Sequence, residues 1–370
     1  MGPLHIDVAA GEHEEVSIQL QRTPREGQQQ GPPLKLEQFF EVEARPSHLT
    51  LRRLLPSLES GRGPPYADGG VAVLARVPPR FCSLELRSGG GPISVATLTE
   101  AALSCASAGG RVELGRIRGH AIDLDSGGGD VRAVTVEAER VRVDTGGGCA
   151  HLQRAVGRAL SLRTAGGAAA LGALYGGVLN LDSAGGSLEV GTARLAAGSE
   201  VQTGGGKLRV GTLDGACKLD TEGGDAEVQL GEGATDVAVR AAGGRVRIFV
   251  PPPRGEGAAA GVVRLAGGCG VSIDPALELD GAEGAPGGGP QPVKLEGRLR
   301  AAPGAAPAAH APLPRASQGD EDGGEAEDSA APSLHLTVVA GEGAVELNQR
   351  SWLGAKFSQL HSADGARGRT

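Results

Sequence analysis

The chain has 370 residues, including 63 glycines and 23 prolines; aromatic residues make up 2% of it and the formal net charge is -8. So few large side chains exclude a wide conventional core, so the interior has to be narrow and filled by Leu, Val, Ile and Ala. Acids and bases are interspersed with no block of Lys or Arg, which excludes nucleic-acid binding through a basic stripe. No apolar run reaches the ~18 residues of a membrane span.

In chain order, residues 1–83 carry strand-like alternation at 4–9, 14–20, 39–44, 48–55 and 71–77 without the repeat that follows. They are expected to form a strand-rich cap shielding the first repeat's open edge. The first residues contain early acids and neither a signal peptide nor an Arg-rich transit peptide. Ile6 also breaks the myristoylation pattern. A soluble, intracellular protein is the expectation.

From residue 84 the chain repeats. LELRSGGGPISV (84–95), LSCASAGGRVEL (103–114), IDLDSGGGDVRA (122–133), VRVDTGGGCAHL (141–152), LSLRTAGGAAAL (160–171) and LNLDSAGGSLEV (179–190) share one template. The hydroxyl before the glycines recurs at Ser88, Ser107, Ser126, Thr145, Thr164 and Ser183, and less strictly at Thr203 and Thr221, with Ala241 in its place one repeat later. Such periodicity announces a repeat architecture.

Within a repeat, Ile122, Leu124 and Ser126 alternate with Asp123 and Asp125, which predicts a strand with one buried face. The glycines supply a sharp corner, and a second strand, such as Val112 to Leu114, follows before the return to the next coil. One coil cannot bury enough to stand alone; stacked coils pair in parallel and align their aliphatic residues into a continuous core. The fold class predicted is all-β: a single parallel β-solenoid over 84–279 of about nine to ten coils of ~19 residues, with non-repeat β caps. A further coil is expected at 262–273, after the loop 251–261.

Residues 280–333, rich in Gly, Ala, Pro and acids, read as a disordered linker. Residues 334–340 and 344–354 regain alternation and begin a C-terminal segment of strands and tail, 334–370, with Trp352 expected to pack on the solenoid's far end.

The run VAVLARVPPRFCSLELRSGGGPISVATL (71–98), a strand ending in Val-Pro, a bend, then coils with small-residue corners, resembles the adhesin domain, a β-solenoid domain of unknown function common in bacteria. The resemblance covers about residues 71–273. The chain is also similar to an animal "family with sequence similarity" group carrying that domain, which implies a mitochondrial location. The adhesin label implies extracellular attachment, but no export signal or wall anchor accompanies it, and the family supplies no catalytic residues.

Three polar features compete for a role. The inward Ser/Thr row is expected to be structural, each hydroxyl bonding its own turn or the hydroxyl one coil away. The outward Asp123, Asp125 and Asp144 offer a carboxylate pair or calcium site, but their column also holds Arg87, Arg163 and Arg240 and reads as a self-neutralising ladder. Five cysteines (Cys82, Cys105, Cys149, Cys217, Cys269) are scattered with no CxxC, as in small apolar residues of a reducing compartment. No histidine cluster or phosphate-loop motif is present, and no catalytic, cofactor or metal residue is assigned. The function expected is a non-enzymatic scaffold or binding surface for another protein. A carbohydrate-active or calcium-binding solenoid using the three aspartates, and a self-assembling rod, are the alternatives.

Overall fold

A computed structural model describes residues 4–10, 17–22, 40–45, 48–53, 71–77, 83–251, 261–267, 271–274, 277–280, 293–301, 334–340 and 344–349. Among them there is no helix; the fold is a parallel β-solenoid. The chain divides into two compact units, Met1–Leu188 and Glu189–Thr370.

In the first unit, β1 (Leu4–Ala10), β2 (Ser17–Arg22), β3 (Phe40–Arg45), β4 (His48–Arg53) and β5 (Val71–Val77) precede the repeats. The repeats then supply β6 (Ser83–Arg87), β7 (Ile93–Ala106), β8 (Val112–Asp125), β9 (Val131–Asp144), β10 (Ala150–Arg163) and β11 (Ala169–Asp182). Strands β6 to β10 each pair in parallel with the next strand, up to β11. Val131, Ala150 and Ala169, for example, form one register row.

From β7 to β11 each coil is one 14-residue strand and a short glycine corner, where the pattern predicted two short strands and a return. The alternation breaks twice within β10, at Gln153-Arg154 and Arg158-Ala159, where two consecutive residues are exposed. The strand bends there, and the ladder skips one row at each bend. Because these bends need no glycine, they were invisible as punctuation. On either side of the bends and between them, the inward side chains Leu152, Ala155 and Leu160 are almost fully buried, and they stack on the same positions of the next coil.

The second unit contains β12 (Leu188–Gln202, starting at the unit boundary), β13 (Leu208–Asp220), β14 (Ala226–Arg240), β15 (Val246–Val250), β16 (Gly261–Gly267), β17 (Val271–Ile273), β18 (Leu277–Asp280), β19 (Val293–Ala301), β20 (Leu334–Val339) and β21 (Val345–Gln349). Its coil length is less constant: cross-coil bonds span 18 residues at Thr203 and 20 at Arg245.

Chain order and stacking order part company near the chain ends. In the first unit β1 lies between β5 and β7, parallel to both, and β2 runs antiparallel on the outer edge of β5. In the second, β20 lies between β14 and β16, and β21 between β15 and β17. The coil at 334–349 is therefore inserted before the coil at 261–273, which follows it in space but precedes it in sequence. Antiparallel β19 then covers the free edge of β16, and β18 pairs with β19. A reversed strand ends a parallel stack by occupying its open backbone groups.

β19 corrects one expectation. Within the expected linker 280–333, Val293, Leu295 and Leu299 of β19 alternate with Lys294, Glu296, Arg298 and Arg300, a strand pattern hidden by the composition of the longer stretch. The rest of that stretch from residue 281 onward lies outside the described residues, as do Trp352, Cys82 and Cys269.

Candidate functional site

The corners consume the polar groups that the sequence singled out. Ser107, Ser126, Thr145, Thr164, Ser183, Thr203 and Thr221 are completely buried. Thr145 Oγ1 donates to the carbonyl of Gly148 at 2.6 Å, Thr164 to Gly167 at 2.7 Å and Thr221 to Gly224 at 2.7 Å. The hydroxyls of Ser107, Ser126, Thr145, Thr164 and Thr203 also lie against the backbone carbonyl of the next coil's Ser or Thr, as in Ser107 Oγ to Ser126 O at 2.9 Å. The partner one coil away is thus a carbonyl, not the hydroxyl expected from the sequence. Each hydroxyl has one proton, which it shares between the carbonyl of its own corner and the carbonyl one coil away, as Ser107 does with Gly110 and Ser126.

Backbone geometry explains the glycines. The first residue after the hydroxyl has positive φ throughout: +58° at Gly146, and +50° and +47° even where the residue is Ala165 or Ala184. Two residues further on, a side chain is excluded, since a Cβ at Gly148 would fall on the carbonyl of Gly129 in the preceding coil.

The outward aspartates have a local task as well. Asp125 Oδ1 accepts the N–H of Gly127 at 3.0 Å, and Asp144 Oδ1 that of Gly146 at 3.1 Å. Asp182 and Asp220 do the same for Ala184 and Glu222. These are Asx turns, which steady the corner entrance. The register does bring Asp125 directly opposite Asp144, while Asp123 lies opposite Ser104 and Arg142. Among the described residues no group of three or more His, Cys, Asp or Glu is arranged to hold a metal, and no buried side-chain nitrogen or oxygen lacks a partner.

Cys105, Cys149 and Cys217 are free thiols. Burial pushes Cys105 up to about 12 from the ordinary value near 9. Cys217 is raised to about 12 by burial first and the Glu200 carboxylate second. Neither is a nucleophile at neutral pH, because the thiolate is the reactive form; Cys149 is exposed.

The described residues also form a concavity that no motif in the sequence marks. It is an open groove of about 750 Å³ in the first unit. Its floor follows the register row Gly119, Ala138, Gly157 and Gly176. A Cβ at Gly157 would stand 2.6 Å from the carbonyl oxygen of Ala138, so the small residues let successive bends approach closely. One wall carries the exposed ion pair Arg118–Glu137, 3.1 Å across neighbouring coils; the other carries exposed His120, Glu139 and Arg158. Glu100 lines the groove with a left-handed φ of +56°. The available signal was the recurrence of small residues at the coil spacing, away from the more conspicuous glycine corners.

The family model described as Toastrack DUF4097 matches residues 72–258, half of the chain. No curated protein and no solved structure matches it. No helix of the described residues is long and apolar enough to cross a membrane.

Proposed function

We propose a function from one premise: the chain belongs to the Toastrack DUF4097 family. In this reading the solenoid is a non-enzymatic scaffold that binds a segment of another protein along the groove of its first unit. The groove carries the proposal. Its floor is bare backbone and small residues, and its rim alternates Arg118 with Glu137 and His120 with Glu139 and Arg158. Rigid coils fix that rim before any partner arrives, which limits the ordering cost of association. Mixed charges favour a partner segment of complementary alternating sign and contribute to selectivity more than to affinity.

Affinity capture with the full chain tests the reading. A specific partner recovered by the native chain and lost with Glu139→Lys/Arg158→Glu, at unchanged melting temperature, supports it. Failure of the native chain to retain any specific partner rules it out. The alternative built on Asp123, Asp125 and Asp144 requires calcium-dependent thermal stabilisation, or glycan cleavage abolished by Asp144→Ala. Self-assembly through the coil ends requires growth in light scattering with concentration. We further propose an intracellular, mitochondrial location, resting on the sequence resemblance alone; proximity labelling reports the compartment together with the neighbours.

A further inference from the structure

The insertion of residues 334–349 ahead of residues 261–273 creates a choice of partners in the second unit. Rows of three residues run across the insert: Val237, Leu336 and Val263; Val239, Val338 and Leu265; Val246, Val345 and Val271; Ile248, Leu347 and Ile273. Every row is aliphatic in residue type from end to end. The coil 261–273 could therefore stack on 236–250 in the register that both now hold against the insert. We infer that the coil 334–349 is a displaceable insert: it withdraws from its slot, and the coil 261–273 closes onto residues 236–250 behind it.

Two further observations single out this position. At corners such as Ser107 and Thr145 a buried hydroxyl stitches one coil to the next, but the corner preceding the insert and the insert's own carry alanine, Ala241 and Ala340, each completely buried. A methyl group cannot donate to a carbonyl. The 236–250 flank of the insert is held by the β14–β20 and β15–β21 ladders, by the backbone bonds Ala241 N–H to Val339 O at 2.7 Å and Val246 N–H to Ala344 O at 2.8 Å, and by Glu346 paired with Arg247 at 2.8 Å and Arg245 at 3.6 Å, all three side chains partly exposed. Meanwhile β16 carries its own antiparallel partner: β19 lies along its other edge, with Arg264 paired to Glu296 at 2.7 Å, and β18 lies on β19. β16, β19 and β18 can thus move together while only one edge of β16 changes its neighbour.

The energetic order follows from the ladders. With the insert in place, two ladders flank it; after withdrawal, one ladder between 236–250 and 261–273 replaces them. The inserted arrangement is the ground state, and withdrawal is a minor state, enriched by anything that pairs with the freed segment.

A disulfide trap reads that minor state in the full chain. Ala238, Thr337 and Arg264 form one row, so Ala238 and Arg264 are two strand spacings apart, ~9.6 Å, beyond the ~7 Å reach of a disulfide. In Ala238→Cys/Arg264→Cys, an intramolecular crosslink identified by peptide mass accumulates during oxidation, more slowly than in the adjacent-strand pair Ala238→Cys/Thr337→Cys. Glu113→Cys/His151→Cys spans Arg132 at the same two-strand spacing inside the first unit and stays uncrosslinked. Adding Ala241→Thr, which restores a corner hydroxyl, slows the 238–264 crosslink about five-fold, the value of one hydrogen bond near 1 kcal/mol. The inference is overturned if the 238–264 crosslink is absent, forms only between molecules, appears as readily at 113–151, or is indifferent to Ala241→Thr.

Discussion

At the scale of single residues, the corner governs what the chain tolerates. Gly148 and Ala165 both belong to corners, but for opposite reasons. At Gly148 a Cβ meets the Gly129 carbonyl, part of a backbone that the ladder holds in place. Gly148→Ala is expected to destabilise by about 3 kcal/mol, the upper range for overpacking. At Ala165 the obstacle is conformational: φ is +50°, a region glycine occupies at no steric cost. Ala165→Gly is expected to be neutral to stabilising by about 0.5 kcal/mol, strain relief offset by the freer unfolded chain. Urea denaturation of the two variants checks the difference in sign.

The buried thiols give a second residue-scale expectation. Cys105 and Cys217 keep their protons up to about pH 12 when folded and lose them near 9 when unfolded. Between those values the unfolded state binds fewer protons, so stability is full below pH 9 and falls as pH rises towards 12. The slope is about 1.4 kcal/mol per pH unit for each thiol. Denaturation midpoints of Cys105→Ala and Cys217→Ala should decline less steeply than the native chain's over that window. An equal decline would mean that the thiols titrate normally in the folded chain.

At the scale of the element, one coil is interchangeable with the next where the spacing is constant. Rows such as Leu124, Val143 and Leu162 repeat at 19 residues, and so do the hydroxyl bonds. Deleting residues 141–159 removes one full period and rejoins a chain whose inward positions still fall inward. Such a variant is expected to unfold cooperatively with its sheet circular-dichroism signal retained. Deleting 141–158 instead leaves the next coil one residue out of phase, which turns its aliphatic side chains outward. Loss of cooperativity is expected from the second deletion alone. Equal tolerance of both would show that the strand bends, rather than the period, absorb the register.

At the scale of the whole molecule, protection should follow how each coil is held. Strands β9 and β10 have parallel neighbours along their whole length and a hydroxyl stitch at each corner. The coil 334–349 has alanine, Ala340, in place of a corner hydroxyl, and its Glu346 reaches Arg247 across 99 residues of chain. Hydrogen exchange read by mass spectrometry is expected to be slowest in residues 131–163 and markedly faster in 334–349, because local opening follows the weakest set of contacts. Uniform protection would argue that the insert is as firmly held as the interior coils.

The sequence determined the coil by itself. Period, inward aliphatic positions, hydroxyl row and glycine corner are all encoded within nineteen residues, because a corner demands particular backbone angles and a buried face demands alternation. The strand bends and the groove floor were less legible: at a bend, ordinary residues such as Arg154 and Ala159 turn the chain, and no residue type marks the place. Only the tertiary structure decided which coil lies beside which at the ends. Each coil offers the next the same ladder and the same aliphatic columns, so Leu336 and Val263 are equivalent candidates to follow Val237. Local pattern cannot rank equivalent partners; the ranking comes from pairing both edges of strands β20 and β21 and closing the last parallel edge with an antiparallel strand.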